Sequence, residues 1–269
     1  MRSIQCNSLT ENISSLAQSD IHLWYRVTEP FDQADIDNDL IVLSQDEQDR
    51  CARFVFLQDR RDYASAHSLL RKLLSHYCAK APQSWKFVKG VNGKPYIDSV
   101  DSNESNVGFN ISHTRGLVAC GVVRGHEIGV DVERVDRAPA TLDIAQRYFS
   151  KTEYDMLLRT ELSERFIRFI ELWALKEAYI KATGGGLSEP LNSFGFNFSG
   201  RSGLAFNAPD GADSSQWTFA LYEPVPHVRL AFAISSVKPV PWKVTASSFD
   251  GPSQSQILLP KRASWLTTD

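Results

Sequence analysis

The chain has 269 residues, 42% of them hydrophobic, with 29 Lys or Arg, 32 Asp or Glu and four Cys. That length buries a sizeable core without covalent staples, and a net charge of −3 excludes a generally basic nucleic-acid binder while allowing a local basic patch. A charged content of 23% with 11% aromatics excludes wholesale disorder, and the longest apolar run, Leu117 to Val123, is too short to span a bilayer.

Residues 1–20 are polar, lack the apolar stretch of a signal peptide and read as a flexible N-terminus. Cys6, Cys51, Cys78 and Cys120 show neither metal-type nor CxxC spacing, which predicts reduced thiols in a soluble, cytoplasmic protein. His22 to Val27 reads as a strand, followed by an acidic loop around Pro30. Ser44-Gln-Asp-Glu47 is a capping box that starts a helix near residue 45. The three- and four-residue steps of Tyr63, Ala66, Leu70, Leu73, Leu74 and Tyr77 predict a second helix over 59–78, and Pro82 closes the region. Trp85 to Val88 and Tyr96-Ile97 flank a Gly93-Lys94-Pro95 turn. Val107 to Ile111 and Leu117 to Val123 form a hairpin around Ser-His-Thr-Arg-Gly, and Ile128 to Val135 is another strand. A second capping box, Ser150 to Glu153, opens a short helix; a long one follows over 163–182 and stops at Gly184-Gly185-Gly186. Strands are predicted at 194–198, 217–222 and 229–234, and residues 236–269 form a tail with no assigned role.

The order strand, Ser-x-x-Glu, longer helix occurs at 22–72 and again at 127–178. If this marks a duplication, two similar α+β halves pack together, with boundaries at 21–125 and 126–235, and the cleft between them is the natural ligand site.

Three carboxylates stand out. In a strand, side chains alternate faces, so Asp131 and Glu133 point the same way, opposite Ile128, Val130 and Val132. An exposed strand face would explain such a pair without a ligand. In the long helix, Phe166, Phe169, Ile170, Trp173 and Ile180 make an apolar stripe, and Glu177 lies on that side with Lys181 four residues on and Lys176 on the flank. A solvated Glu–Lys pair is the simplest account of Glu177 and Lys181. A carboxylate bordering an apolar stripe nevertheless needs a partner, and one divalent cation would serve Asp131, Glu133 and Glu177 together. Oxygen ligands without His or Cys favour Mg²⁺ over zinc, and Mg²⁺ points to a phosphate.

Residues 50–72 hold six Arg or Lys against Asp59 and Asp62, which suits either a solvated helix face or an anion site. Lys89 and Lys94 add basic groups around the glycine turn, and Asn110, Ser112 and His113 are expected where a strand runs into a turn. The Thr183-Gly-Gly-Gly run follows a helix rather than preceding one, so it is not a P-loop. The residues themselves point to a Mg²⁺-dependent enzyme acting on a phosphate ester or anhydride. They do not choose the substrate: a transferase, a phosphohydrolase or nuclease using water, and a non-catalytic binding module remain open at this level.

Gly93-Lys-Pro95, Phe109-Asn-Ile-Ser-His113, Gly129-Val-Asp-Val-Glu133, Phe149-Ser-Lys-Thr-Glu153 and Trp173-Ala-Leu-Lys-Glu-Ala-Tyr-Ile-Lys181 stand in the order seen in 4′-phosphopantetheinyl transferases. Over residues 40–200 the chain resembles the larger, surfactin-synthetase-activating (Sfp) type. The resemblance implies a pseudo-twofold α+β monomer of two similar subdomains, each a small antiparallel sheet packed with helices, and coenzyme A in the cleft between them. It implies transfer of phosphopantetheine from coenzyme A to a serine of an apo acyl, peptidyl or aryl carrier protein, releasing adenosine 3′,5′-bisphosphate, with no nucleic-acid or membrane partner. By the same resemblance Asp131, Glu133 and Glu177 bind Mg²⁺, with Mn²⁺ as the alternative ion, and Asp131 thereby also belongs to the coenzyme A site. Glu177 is the base, directly or through water. Lys181, with Lys176 beside it, steadies phosphate charge, and Lys89, Lys94, Ser112, His113, His67 and Arg71 hold coenzyme A. Gln45 and Glu47 stand where some members of the family carry Pro and a basic residue, which leaves Arg50 for the 3′-phosphate.

Overall fold

The elements follow the local rules read from the sequence, and long-range pairing adds several more. The computed structural model describes residues 16–30, 32–98, 106–136, 141–186, 189–250 and 258–265; Cys6 and most of the expected N-terminal segment lie outside these. Strand β1 (Asp20–Val27) precedes helices α1 (Gln33–Leu40), α2 (Gln45–Ala52) and α3 (Leu57–Tyr77). Next come a short ribbon, β2 (Phe87–Lys89) with β3 (Pro95–Ile97), and the hairpin β4 (Val107–Thr114) and β5 (Leu117–Arg124). The second half repeats the plan: β6 (Ile128–Arg134), then α4 (Thr141–Tyr148), α5 (Lys151–Arg159) and α6 (Leu162–Thr183), then β7 (Gly195–Ser199), β8 (Gly203–Asn207), β9 (Trp217–Tyr222) and β10 (Val228–Ser235). Two further strands, β11 (Lys243–Ser248) and β12 (Arg262–Ala263), complete the chain.

Both capping boxes form. The Ser44 and Ser150 side chains accept from the amides of Glu47 and Glu153, whose carboxylates return to the cap amides. A third box, Asp32 with Asp35, starts α1 inside the stretch that reads as an acidic loop. That helix has a weak apolar pattern, burying Ile36 and Asp39, so periodicity gives little sign of it. The hairpin is tighter than expected. β4 continues to Thr114, which pairs with Leu117 across Arg115-Gly116, and Gly116 takes the left-handed conformation (φ +83°) such a turn needs. Ser112 and His113 therefore belong to a strand, and Asn110 and Ser112 share one of its faces.

The sheets repeat a common core. One runs β11-β1-β5-β4 and the other β6-β10-β9-β12-β8-β7. In each, the strand before the helices pairs antiparallel with the last strand of its half, β1 with β5 and β6 with β10. α3 packs on the first sheet, burying Ala66, Leu69, Leu70, Leu73 and Leu74 against Phe109, Val118, Cys120 and Val122. α6 packs on the second through Phe169, Leu172, Leu175, Ala178 and Tyr179. A third cluster joins Leu23, Leu117 and Ala119 to Val130, Leu230 and Phe232, so the halves share a core. Both sheets are mixed rather than antiparallel, because the tail supplies a parallel strand to each: β11 beside β1 and β12 beside β8. Cys51, Cys78 and Cys120 are all buried.

One glycine governs how closely β6 and α6 approach. A Cβ on Gly129 of β6 would stand 1.9 Å from the carbonyl oxygen of Ala178 and 2.4 Å from the amide of Ala182, both backbone atoms of α6. Helix and strand therefore touch at van der Waals distance, which brings the side chains of residues 177 and 181 over the strand. Gly129→Ala should lower the unfolding free energy by about 3 kcal/mol through overpacking, measured by urea denaturation; an unchanged midpoint would contradict this packing.

Candidate active site

Asp131 sits where β6, α6 and β4 meet, and it is 4% exposed. Lys181 Nζ donates to Asp131 Oδ1 at 2.6 Å and to Ser112 Oγ at 2.9 Å, and Ser112 Oγ lies 3.1 Å from the same carboxylate oxygen. Asp131 Oδ2 is buried without a hydrogen-bond partner. Glu177, one turn before Lys181, is half-buried. Burial raises its pKa above the ordinary glutamate value, the charge of Asp131 adds to the rise, and Lys181 opposes it. Asp131, Glu177, Lys181 and Ser112 are thus brought together.

Glu133, two residues along β6, lines a neighbouring cavity of about 230 Å³ with Thr114, Ile144, Phe166, Ile170 and Trp173. Among the described residues, no three His, Cys, Asp or Glu side chains are gathered closely enough to hold an ion alone. The donors nevertheless suit a hard divalent cation that also takes ligands from phosphate and water. They are carboxylate oxygens, one is an orphaned buried oxygen, and a second carboxylate beside it has its pKa raised by burial and by its like-charged neighbour, so a cation would relieve both.

A cavity of about 300 Å³ runs from Glu177 and Lys181 past Asn110 to Asn92 and Lys94. It adjoins a cleft of about 1000 Å³, since Pro95 and Ile111 line both. The larger cleft holds Arg50, Arg53, His67, Arg71 and Lys89. The two adjoining cavities form a trench with Glu177 and Lys181 at one end and a basic wall at the other.

Several expected ligands are already engaged within the protein. His67 Nδ1 lies 2.9 Å from Glu47 Oε1, Arg71 Nε donates to Glu47 Oε2 at 2.9 Å, and another Arg71 nitrogen donates to the carbonyls of Pro82 and Trp85. Glu47 is central here. Burial alone would raise its pKa, but the bond to His67, the cap amide of Ser44 and the charge of Arg71 bring it down to about 2. Lys94 Nζ bonds Glu127 at 2.6 Å and faces the carbonyl oxygens of Ile128 and Ala182. Lys89 is exposed along the cleft. His113 is also solvent-reachable, although protein around its ring lowers its pKa; Asp62 opposes that shift, and Lys181 and His67 add to it.

Lys176 departs from the expectation that it steadies phosphate charge. It is fully buried, and it donates to Glu153 at 2.8 Å and to the carbonyls of Leu191 and Phe194 at 2.7 and 2.8 Å. Its direction on α6 carries it into the core of the second half, away from Glu177 and Lys181. Burial lowers its pKa and Glu153 opposes the shift. Asn110 is the contributor that motif reading undervalues: its Oδ1 accepts the amide of Val130, next to Asp131.

Residues 127–234 match the model of the 4′-phosphopantetheinyl transferase superfamily, and residues 30–122 match that of a 4′-phosphopantetheinyl transferase N-terminal region. Over 202 residues the chain is 31% identical to the 4′-phosphopantetheinyl transferase Sfp of Bacillus subtilis, covering 75% of this chain and 86% of that one. The chain belongs to the 4′-phosphopantetheinyl transferase superfamily. The 4′-phosphopantetheinyl transferase HetI of a Nostoc species is 33% identical over 177 residues, 65% of this chain and 73% of that one. A solved holo-[acyl-carrier-protein] synthase from Thermotoga maritima overlays 42% of this chain and 64% of its own, at a TM-score of 0.35 and 22% identity. Membership favours a transferase over the hydrolase and the non-catalytic module. No helix among the described residues is long and apolar enough to cross a membrane.

Two outcomes test the structural assignments. Lys176→Met should cost about 3–5 kcal/mol by stranding the Glu153 carboxylate, and adding Glu153→Gln should recover much of that in urea denaturation. Normal stability with lost transfer would instead put Lys176 in the reaction. For Glu47, the native pKa lies below the unfolded value near 4.5, so the unfolded chain binds more protons in acid. Its stabilisation is full above that pH and drains away as pH falls toward about 2. In melting curves, the difference between the native chain and Glu47→Gln should shrink over that window; a pH-independent difference would contradict the pairing.

Proposed function

We propose that this trench is where the enzyme transfers 4′-phosphopantetheine from coenzyme A to a serine of an apo acyl, peptidyl or aryl carrier protein. Coenzyme A lies with its pyrophosphate at the carboxylate–lysine cluster and its adenosine 3′-phosphate toward Arg50, Arg53 and Lys89. The observation that carries the reading is the half-satisfied Asp131, whose Oδ1 meets Lys181 and Ser112 while Oδ2 meets no donor.

Asp131, Glu133 and Glu177 are the residues that would hold Mg²⁺, with Mn²⁺ as a substitute. When bound, the metal supplies charge neutralisation on the pyrophosphate oxygens. Lys181 turns its ammonium to the phosphate undergoing transfer, a short movement from Asp131 Oδ1. Glu177 accepts the proton of the carrier serine hydroxyl, directly or through water, and its raised pKa makes it a stronger base than an ordinary carboxylate. The serine oxygen then forms a bond to the phosphorus bearing pantetheine, and the bond from that phosphorus to the bridging oxygen breaks. Adenosine 3′,5′-bisphosphate departs with the electron pair. Ser112 and His113 border the phosphates from β4. Phosphoryl transfer needs alignment and charge compensation more than covalent catalysis, which this constellation suits.

The enzyme acts as a cytoplasmic monomer in this reading. Both sides of the trench come from one chain, which supports a monomer. Incubation with coenzyme A, Mg²⁺ and a panel of apo carrier proteins, followed by intact-mass measurement, should show addition of one phosphopantetheine. Asp131→Ala and Glu177→Ala should each slow that addition on the order of a thousandfold while leaving the melting transition cooperative. A near-native rate in either variant, or no mass gain on any carrier with the native chain, would count against the proposal.

A further inference from the structure

β6 is the outermost strand of its sheet, so the amides it turns away from β10 have no strand to bond. Buried at the junction of the halves, those amides still need acceptors. Two side chains of β4 provide them. Asn110 Oδ1 accepts the amide of Val130 at 2.9 Å, and Ser112 Oγ accepts that of Val132 at 3.3 Å. Asp131 is the residue between the two tethered amides. Because the Val130 amide can only donate, the Asn110 atom facing it must be the oxygen. Asn110 and Ser112 are 5% and 7% exposed, so solvent offers these amides no easy substitute. Gly108, the preceding residue on the same face of β4, allows the approach: a Cβ there would stand 2.0 Å from the carbonyl oxygen of His126.

The two tethers differ. Ser112 also contacts Asp131 and Lys181 directly, so its loss would disturb the carboxylate itself. Asn110 makes no such contact and acts on Asp131 through the backbone. We propose that Asn110 is a positioning residue, fixing the Asp131 carboxylate by holding the edge of β6 against the other half of the molecule. The orphaned Oδ2 is aimed by the backbone at residue 131 and by the contacts of Oδ1. Release of the Val130 amide frees the strand to rotate and moves that oxygen. This rests on the assignment of Asp131 to Mg²⁺ made above.

The test uses the full chain and two readouts: the Mg²⁺-dependent rise in melting temperature without coenzyme A, and the Mg²⁺ concentration giving half-maximal transfer to an apo carrier protein. Asn110→Ala should shift both about tenfold toward higher Mg²⁺. At saturating Mg²⁺ its KM for coenzyme A should stay near the native value. Asn110→Ser, which offers Val130 the kind of hydroxyl Ser112 offers Val132, should recover most of the shift, and it decides the matter if the alanine variant does not fold. Leu69→Ala, a cavity in the core beneath α3, should lower stability without moving either Mg²⁺ response. A native Mg²⁺ response in Asn110→Ala, or an equal shift in Leu69→Ala, would overturn the positioning role. Absence of any Mg²⁺ response in the native chain would instead overturn the metal assignment, and this inference with it.

Discussion

A carboxylate buried away from water remains charged only where cations and hydrogen-bond donors meet it. Asp131 is met halfway: Lys181 and Ser112 satisfy Oδ1, and Oδ2 has no partner. Much of the surrounding architecture follows from holding that anion in place. Gly129 lets α6 lie against β6 closely enough for Lys181 to reach it. Glu177, a turn away, becomes a weaker acid because the same burial and the same anion disfavour its charge. The side chains of Asn110 and Ser112 bind the strand carrying Asp131 to the opposite half.

The duplicated plan explains why the site has two unlike ends. Glu47 and Glu153 each close a capping box and then pair with the long helix that follows, Arg71 in the first half and Lys176 in the second. In the second half this pair is sealed in the core. In the first it faces the cleft beside Arg50, Arg53 and Lys89. The same local arrangement thus serves as packing on one side and as the foundation of a basic wall on the other. The tail contributes to both sheets, β11 at the edge of the first beside β1 and β12 inside the second between β9 and β8, so strand pairing also joins the halves.

How much of this was legible in the sequence varied with the range of the interaction. Strand alternation put Asp131 and Glu133 on one face, and helical spacing put Lys181 within reach of Glu177, because both are local geometry. The capping boxes at Ser44 and Ser150 were readable for the same reason. The fate of Lys176 was not, since Glu153 and the carbonyls of Leu191 and Phe194 come from elements whose positions depend on the whole second half. Lys94 likewise bonds Glu127 across the junction, and His67 and Arg71 are committed to Glu47. The tail strands β11 and β12 took their pairing from partners distant in the chain. Asn110 was visible as a polar residue in β4, but its importance depends on β6 being an edge strand, which no local pattern encodes.

The central claim is that the carboxylate–lysine end of the trench binds a divalent cation and the pyrophosphate of coenzyme A. Anomalous diffraction from crystals of the full chain grown with coenzyme A and Mn²⁺ tests it most directly. The account predicts one strong peak within bonding distance of Asp131 Oδ2, with carboxylate oxygens of Glu133 and Glu177 and pyrophosphate oxygens as the other ligands. Coenzyme A bound outside the trench, or a manganese peak away from Asp131, would contradict it.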